Sequence, residues 1–234
     1  MPLPPSQRDP RRIREMFGRL SGRYDLMNNI ITMGRVGAWR KKMFEAASLA
    51  GDESILDVGT GTGAIARRFA GAAPDARVTA SDFSKRMIET GRYSPGGEKV
   101  LWCLADALWL PFADESFDLV TSGYLVRNVA DLHKAFSEQA RVLKPGGVLI
   151  CLETCPPPRS FFRPFLLFYI RYVLPLLGRM VAGSRGSYAY LARSTEGFET
   201  PEGLAGVIEG SGLVVARTDR LMFGTQVLVT ARKT

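Results

Sequence analysis

The run Ile55-Leu56-Asp57-Val58-Gly59-Thr60-Gly61-Thr62-Gly63 constrains this chain more than any other segment. A short apolar, β-prone stretch carries one acid and opens into a loop of alternating glycines. A helical pattern follows, with Ile65, Ala66, Phe69 and Ala70 spaced to share one face. Strand, glycine loop and helix in that order begin a nucleotide-binding α/β unit. Glycine lets the backbone turn tightly and approach a ligand, because no Cβ stands in the way. The helix N-terminus beyond the loop offers free N–H groups and the positive end of a dipole. The loop alone leaves the cofactor open, since Gly59-x-Gly61-x-x-Ala64 also fits the dinucleotide fingerprint with alanine in the third place. Arg77-Val78-Thr79-Ala80-Ser81-Asp82 reads as the second strand, with an acid at its end about twenty residues past the loop. An acid there can accept hydrogen bonds from ribose hydroxyls, which serves NAD and S-adenosylmethionine alike. Asp82 also suits the N-cap of a helix starting near Lys85.

The rest of the chain continues the alternation. Strands are expected at Ser54–Val58, Arg77–Ser81, Val100–Leu104, Phe117–Ser122 and Val148–Glu153, and a final pair at Leu213–Thr218 and Gln226–Thr230. Helices are expected over Ile13–Ala47, with breaks at Gly22 and Gly34, and at about Asp131–Leu143 and Glu202–Gly210. Residues 1–12 look disordered, and Lys144-Pro145-Gly146-Gly147 reads as a stop and turn before the fifth strand. This order predicts an α/β fold whose mostly parallel sheet carries helices on both faces, with an antiparallel C-terminal edge. The 234 residues, 46% of them apolar, suffice for one such domain.

A net charge of +8 suggests an anionic partner, yet the basic residues are spread widely. No basic tract interleaved with aromatics points to nucleic acid. Cys103, Cys151 and Cys155 have no paired spacing and no histidine nearby, which argues for a reducing compartment and against a zinc site. Met1-Pro2-Leu3-Pro4-Pro5 does not read as a signal peptide. The most apolar region, Phe161 to Val181, is broken by Arg163, Pro164, Arg171, Pro175 and Arg179. Its apolar runs fall short of the ~20 residues of a spanning helix. It reads as a helical cap over an apolar pocket, as an interfacial patch, or as an ordinary buried helix pair.

Ligands of such sheets bind beyond the carboxyl ends of the strands. The candidates there are Asp57, the glycine loop, Asp82, Asp106-Ala107 and Ser122-Gly123. Asp106 can accept from an adenine amino group while the Ala107 N–H donates to a ring nitrogen; a turn cap is the plainer reading of Asp106. The single histidine, His133, reads as a surface residue, so a Ser/His/Asp triad and a histidine-rich metal site are not expected.

Taken together, Asp57-x-Gly-x-Gly-x-Gly, Asp82, Asp106-Ala107, Leu110-Pro111-Phe112, Phe117-Asp118 and Lys144-Pro145-Gly146-Gly147 resemble a class I S-adenosylmethionine-dependent methyltransferase. Arg23-Tyr24-Asp25-Leu26-Met27-Asn28 with Trp39-Arg40, Arg127-Asn128-Val129, and Ser187-Tyr188-x-Tyr190-Leu191-x-x-Ser194 narrow the resemblance to the ubiquinone/menaquinone C-methyltransferases. The chain departs from that pattern at Ala64, at Val36-Gly37-Ala38, at Gly123-Tyr124-Leu125-Val126 and at Val229. The family usually has Ser-Phe-Gly-Leu where Gly123-Tyr124-Leu125-Val126 stands.

The resemblance implies a Rossmann-like seven-stranded sheet and methylation of the ring of a prenylated quinol by S-adenosylmethionine. It implies an N-terminal helical cap segment over 1–50, a cofactor-binding core over 51–155, an apolar helical insertion over the substrate pocket at 156–200, and a last helix with the C-terminal strands over 201–234. Implied cofactor contacts are Asp57, Gly59, Thr60, Gly61, Thr62, Gly63, Asp82, Phe83, Met87, Asp106, Ala107, Ser122 and Gly123. Arg127, Asn128, Asp25 and Tyr188 are the implied catalytic residues, with Arg127 as a stabiliser of a developing phenolate. Tyr24, Asn28, Tyr124 and Tyr190 are expected to touch the acceptor. A cytoplasmic protein follows, touching the inner face of the membrane peripherally, with a homodimer as a further expectation. Methyl transfer to another apolar molecule, a nicotinamide-dependent dehydrogenase and a non-catalytic binding protein remain open as rivals.

Overall fold

The computed structural model describes residues 9–32, 34–173, 176, 190 and 193–234. Three helices come first: α1 (Pro10–Leu20), α2 (Tyr24–Ile31) and α3 (Val36–Ala47). The core then runs β1 (Ser54–Val58), α4 (Ala64–Ala72), β2 (Arg77–Asp82), α5 (Lys85–Arg92), β3 (Leu101–Leu104), β4 (Phe117–Gly123), α6 (Leu132–Val142) and β5 (Leu143–Thr154). After α7 (Arg163–Phe168), which continues as a π-helical turn through Tyr169–Val173, the chain closes with α8 (Pro201–Glu209), β6 (Leu213–Leu221) and β7 (Gln226–Lys233).

The strands form one sheet in the order β3-β2-β1-β4-β5-β7-β6. The first five are parallel, and β7 runs antiparallel to both β5 and β6. From β1 the chain goes to β2 on one side and later to β4 on the other. The sheet therefore splits at the carboxyl end of β1, where such folds hold their ligands. Side chains alternate across the sheet with the period of a strand. Leu56 and Val58 join an apolar cluster with Phe136, Leu149 and Leu204 on one face, and Ile55 joins Met43, Phe69 and Val78 on the other.

Two expectations need correction. Residues 9–12 are ordered into the start of α1; the Asp9 carboxylate accepts the Arg11 N–H at 2.9 Å, and Pro10 opens the first turn. Residues 1–8 lie outside the described residues. The Lys-Pro-Gly-Gly turn does not precede β5 but lies within it. The ladder shifts register between the Phe117–Leu143 and Leu119–Val148 pairs, so residues 144–147 bulge out of a strand that already begins at Leu143. Gly146 takes a φ of +77° there. Lys144 Nζ donates to both Asp118 oxygens at 2.8 Å, and Asp118 also accepts the Ser54 N–H at 2.9 Å. A bulge tolerates proline because no ladder N–H is required of it.

Candidate active site

The glycine loop sits at the split in the sheet. Gly59, Gly61 and Gly63 have φ of +64°, +59° and +77°, a left-handed path that side chains with a Cβ rarely adopt. Such a path needs holding, and three carboxylates hold three successive residues of it. Asp57, fully buried at the strand end, accepts the Thr60 hydroxyl at 2.5 Å and the Thr121 hydroxyl at 2.8 Å. Asp82, at the end of β2, accepts the Gly61 N–H at 2.8 Å with one oxygen and the Ser84 N–H at 2.8 Å with the other. Asp25, on α2, accepts the Thr62 hydroxyl at 2.8 Å. Asp25 also pairs with Arg40 at 3.2 Å and Arg67 at 3.8 Å, which ties the N-terminal helices to the core. Burial pushes both Asp57 and Asp82 up to about 6, against the opposing pull of their hydrogen bonds.

Above the loop lies an open cleft. Gly59, Gly61, Asp82, Phe83, Met87, Asp106 and Ala107 line it, as expected from the sequence, together with Tyr24, Tyr124 and Asn128. Ile13 and Phe17 of α1 close one side, a contribution the sequence reading missed. Asp106 has one oxygen engaged by the Leu108 N–H at 3.0 Å, so it caps a turn and faces the cleft at once.

A second cavity of about 660 Å³ lies beside the first. Asn28, Thr32, Arg127, Thr154, Thr195, Thr225 and Gln226 give it polar walls, while Leu166, Tyr169 and Ile170 of the α7 segment give it an apolar one. Arg127 stands in the turn after β4, next to the end of β5, and is buried against Glu153, itself fully buried. Its guanidinium donates to Glu153, and its backbone N–H donates to the second Glu153 oxygen at 3.2 Å. The Arg127 Nε–H has no hydrogen-bond partner. The Asn128 amide donates to the Tyr124 carbonyl at 2.9 Å and accepts the Tyr190 hydroxyl at 3.2 Å.

With this geometry in place, comparison with known proteins decides the family. The profile of the ubiE/COQ5 methyltransferase family matches residues 6–233. The ubiquinone/menaquinone biosynthesis C-methyltransferase UbiE of Desulfotalea psychrophila is 44% identical over 213 residues, 91% of this chain and 87% of that protein. The demethylmenaquinone methyltransferase of Thermus thermophilus is 40% identical over 211 residues, 89% and 96% of the two chains. The chain belongs to the ubiE/COQ5 methyltransferase family. Solved structures agree on the fold. The [4+2]-cyclase SpnF superposes with a TM-score of 0.70 at 17% identity over 94% of both chains. Geranyl diphosphate C-methyltransferase from Streptomyces coelicolor, solved with S-adenosyl-L-homocysteine, gives 0.61 at 16% identity over 85% and 80%.

Within this methyltransferase fold the expected site residues separate into two groups. Those named above line the cavities. Asp57, Thr60, Thr62, Gly63, Ser122, Gly123 and Tyr190 line neither: the aspartate and the threonines are spent on holding the loop, Ser122 is buried in the sheet, and the Tyr190 hydroxyl reaches Asn128 of the cleft wall. Asp25, expected to be catalytic, also lines neither and is committed to Thr62, Arg40 and Arg67. Tyr188 lies outside the described residues. Glu153 was missed, although an acid closing the fifth strand beside Arg127 was visible in the order of strands.

The buried pair yields a stability prediction. Glu153→Ala should destabilise the protein by about 3–5 kcal/mol, because it strands a buried guanidinium. The double variant Arg127→Met/Glu153→Leu should stay within about 1–2 kcal/mol of wild type, since it removes both charges. Urea unfolding of the two variants checks this; a double variant as destabilised as Glu153→Ala would mean that the stranded charge is not what the single variant loses.

Proposed function

We propose that this enzyme transfers a methyl group from S-adenosylmethionine to a ring carbon of a reduced, prenylated quinone. The observation that carries the reading is the meeting of the two cavities at one side chain, Tyr124. One cavity has the fittings for a nucleoside and the other those for an oxygenated ring with an apolar tail. The names of the relatives, drawn from quinone biosynthesis, support the choice of acceptor.

The residues of the first cleft fit S-adenosylmethionine. A Cβ at Gly59 would lie 2.5 Å from the Leu125 side chain, so the bare backbone is what leaves the cleft open there. Asp82 spends one lone pair of each oxygen on a backbone N–H and keeps acceptor capacity for ribose hydroxyls. Phe83, Met87, Ala107 and Leu108 supply an apolar slot beside Asp106 suited to a purine. When bound, the cofactor supplies a methyl group activated for in-line displacement. The chain's own residues then have to place the acceptor carbon and exclude water. An aromatic carbon becomes nucleophilic when its ring oxygen carries charge. Arg127 suits that oxygen as a donor, because guanidinium stays protonated and its Nε–H is unspent. Asn128 is held by Tyr124 and Tyr190 and orients the wall between the cavities. Asp25 acts on this site through the loop and not as a base.

The outer face of α7 supports peripheral contact with a membrane. Phe161, Phe162, Phe165, Phe168, Tyr172 and the nearby Phe223 are 58–83% exposed, beside exposed Arg159 and Arg163. An apolar patch of this kind, rimmed by cations, suits an anionic interface. The inner face of the same segment lines the second cavity, so a prenyl tail could pass from lipid to site along one helix. Among the described residues no helix is long and apolar enough to cross a membrane. Liposome flotation should be stronger with anionic lipid, weaker with salt and lost in Phe165→Ser/Phe168→Ser; flotation untouched by both changes would remove this part of the reading.

Cofactor affinity should depend on pH through Asp82. Its carboxyl titrates at about 6 in the free protein, and ribose hydroxyls need the ionised form as acceptor. Affinity for S-adenosylhomocysteine is therefore full above pH 7 and falls as pH drops through 6, by roughly tenfold per unit at most. Calorimetry should show this step in wild type and lose it in Asp82→Asn, which binds more weakly throughout. A pH-independent wild type would reassign Asp82 to the loop alone. The reaction itself is tested by transfer of labelled methyl to a demethylated naphthoquinol. The reduced quinol should accept methyl and the oxidised quinone should not; failure of every quinol under reducing conditions would restrict the assignment to family and fold.

A further inference from the structure

Among the described residues, Tyr124 is the one that lines both cavities. It follows β4 directly, and its backbone is held at a φ of +60°, a region that bulky side chains seldom enter. Two hydrogen bonds fix it there: its N–H donates to the Leu152 carbonyl at 2.8 Å, and its own carbonyl accepts the Asn128 amide at 2.9 Å. Strain of this kind persists where the surroundings over-determine it, and such places concentrate at functional sites. The ring stands 5.5 Å from the Arg127 guanidinium carbon. At its tip the hydroxyl is buried and has no hydrogen-bond partner. A buried hydroxyl left unpaired costs free energy that a phenyl ring of the same shape would not. Burial and the nearby Glu153 charge push the phenol well above its ordinary range, so it stays protonated and can donate.

We propose that the Tyr124 hydroxyl donates a hydrogen bond to a ring oxygen of the methyl acceptor and thereby selects aromatic acceptors that carry an oxygen on the ring. The proposal rests on the reading of the second cavity as the acceptor site. It adds a specificity contact that complements the Arg127 Nε–H, and it is particular to this chain, since the family usually has phenylalanine where Tyr124 stands.

The test uses Tyr124→Phe, which preserves ring volume, and two stable probes, 1-naphthol and naphthalene. Titrations monitored by fluorescence should show wild type preferring 1-naphthol by about three- to tenfold, the range of one net hydrogen bond, and the variant should bind both alike. The affinity of the variant for S-adenosylhomocysteine should equal that of wild type within twofold. Its melting temperature without ligand should rise by about 2–4 °C, because the unpaired hydroxyl is gone. An unchanged preference for 1-naphthol in the variant would overturn the proposal while leaving the cavity as an aromatic site. A tenfold loss of S-adenosylhomocysteine affinity would overturn it by assigning the hydroxyl to the cofactor. If neither probe binds wild type, the proposal falls together with the acceptor reading of the cavity.

Discussion

A loop that alternates glycines in left-handed conformation has no regular hydrogen-bond ladder to hold it, and everything at the mouth of this sheet depends on how that loop is held. The chain solves the problem with carboxylates. Asp57 holds Thr60 from below, Asp82 holds Gly61 from the neighbouring strand, and Asp25 holds Thr62 from the N-terminal helices. Charged acceptors make stronger and shorter hydrogen bonds than neutral ones, which suits a task that must overcome both loop entropy and burial. The cost is visible in Asp57 and Asp82, whose carboxyls are pushed up to about 6. The third contact does more than brace the loop. Because Asp25 belongs to α2, it brings Tyr24 into the first cleft and Asn28 into the second. The N-terminal helices are thus part of the site and not an appendage to it.

The second cavity depends on a different electrostatic arrangement. Arg127 brings a full positive charge into a site that is otherwise lined by threonines, amides and apolar groups. Glu153 offsets that charge and fixes the guanidinium through side chain and backbone together. The pair leaves one N–H unspent, and Tyr124 leaves one O–H unspent. The Asn28 amide, which also lines this cavity, adds a third donor without a partner, and three such donors suit a ligand rich in acceptor oxygen. Apolar α7 covers the same cavity from outside, so polarity and hydrophobicity divide between its two ends.

Much of this architecture was legible in the sequence because strand period, glycine spacing and acids at strand ends are local signals. Asp82, Asp106 and Ala107 were placed at the cleft from such signals, and Phe83 and Met87 by the family resemblance. What could not be read was direction. A residue at a strand end can face the ligand or the loop beneath it, and the choice depends on register with the next strand. Asp57 faces Thr121 across the β1–β4 pairing and so supports the loop instead of lining the cleft. Thr62 and Asp25 meet across 37 residues, a pairing no spacing rule announces. The bulge in β5 was misread for a related reason. Proline and glycine end a strand when nothing else restores the ladder, but here Lys144 on Asp118 and the Leu143 pairing carry it across.

The central claim is that donor and acceptor occupy separate cavities that meet at Tyr124. A crystal structure of the protein with S-adenosylhomocysteine and a short-tailed naphthoquinone bound together tests it most directly. The account predicts the nucleoside in the cleft over Gly59 and Gly61 with its ribose on Asp82, and the naphthoquinone ring in the cavity under α7 with an oxygen in hydrogen-bond reach of the Tyr124 hydroxyl. A ring bound in the first cleft, or one seated under α7 with its oxygens turned away from both Tyr124 and Arg127, would contradict it.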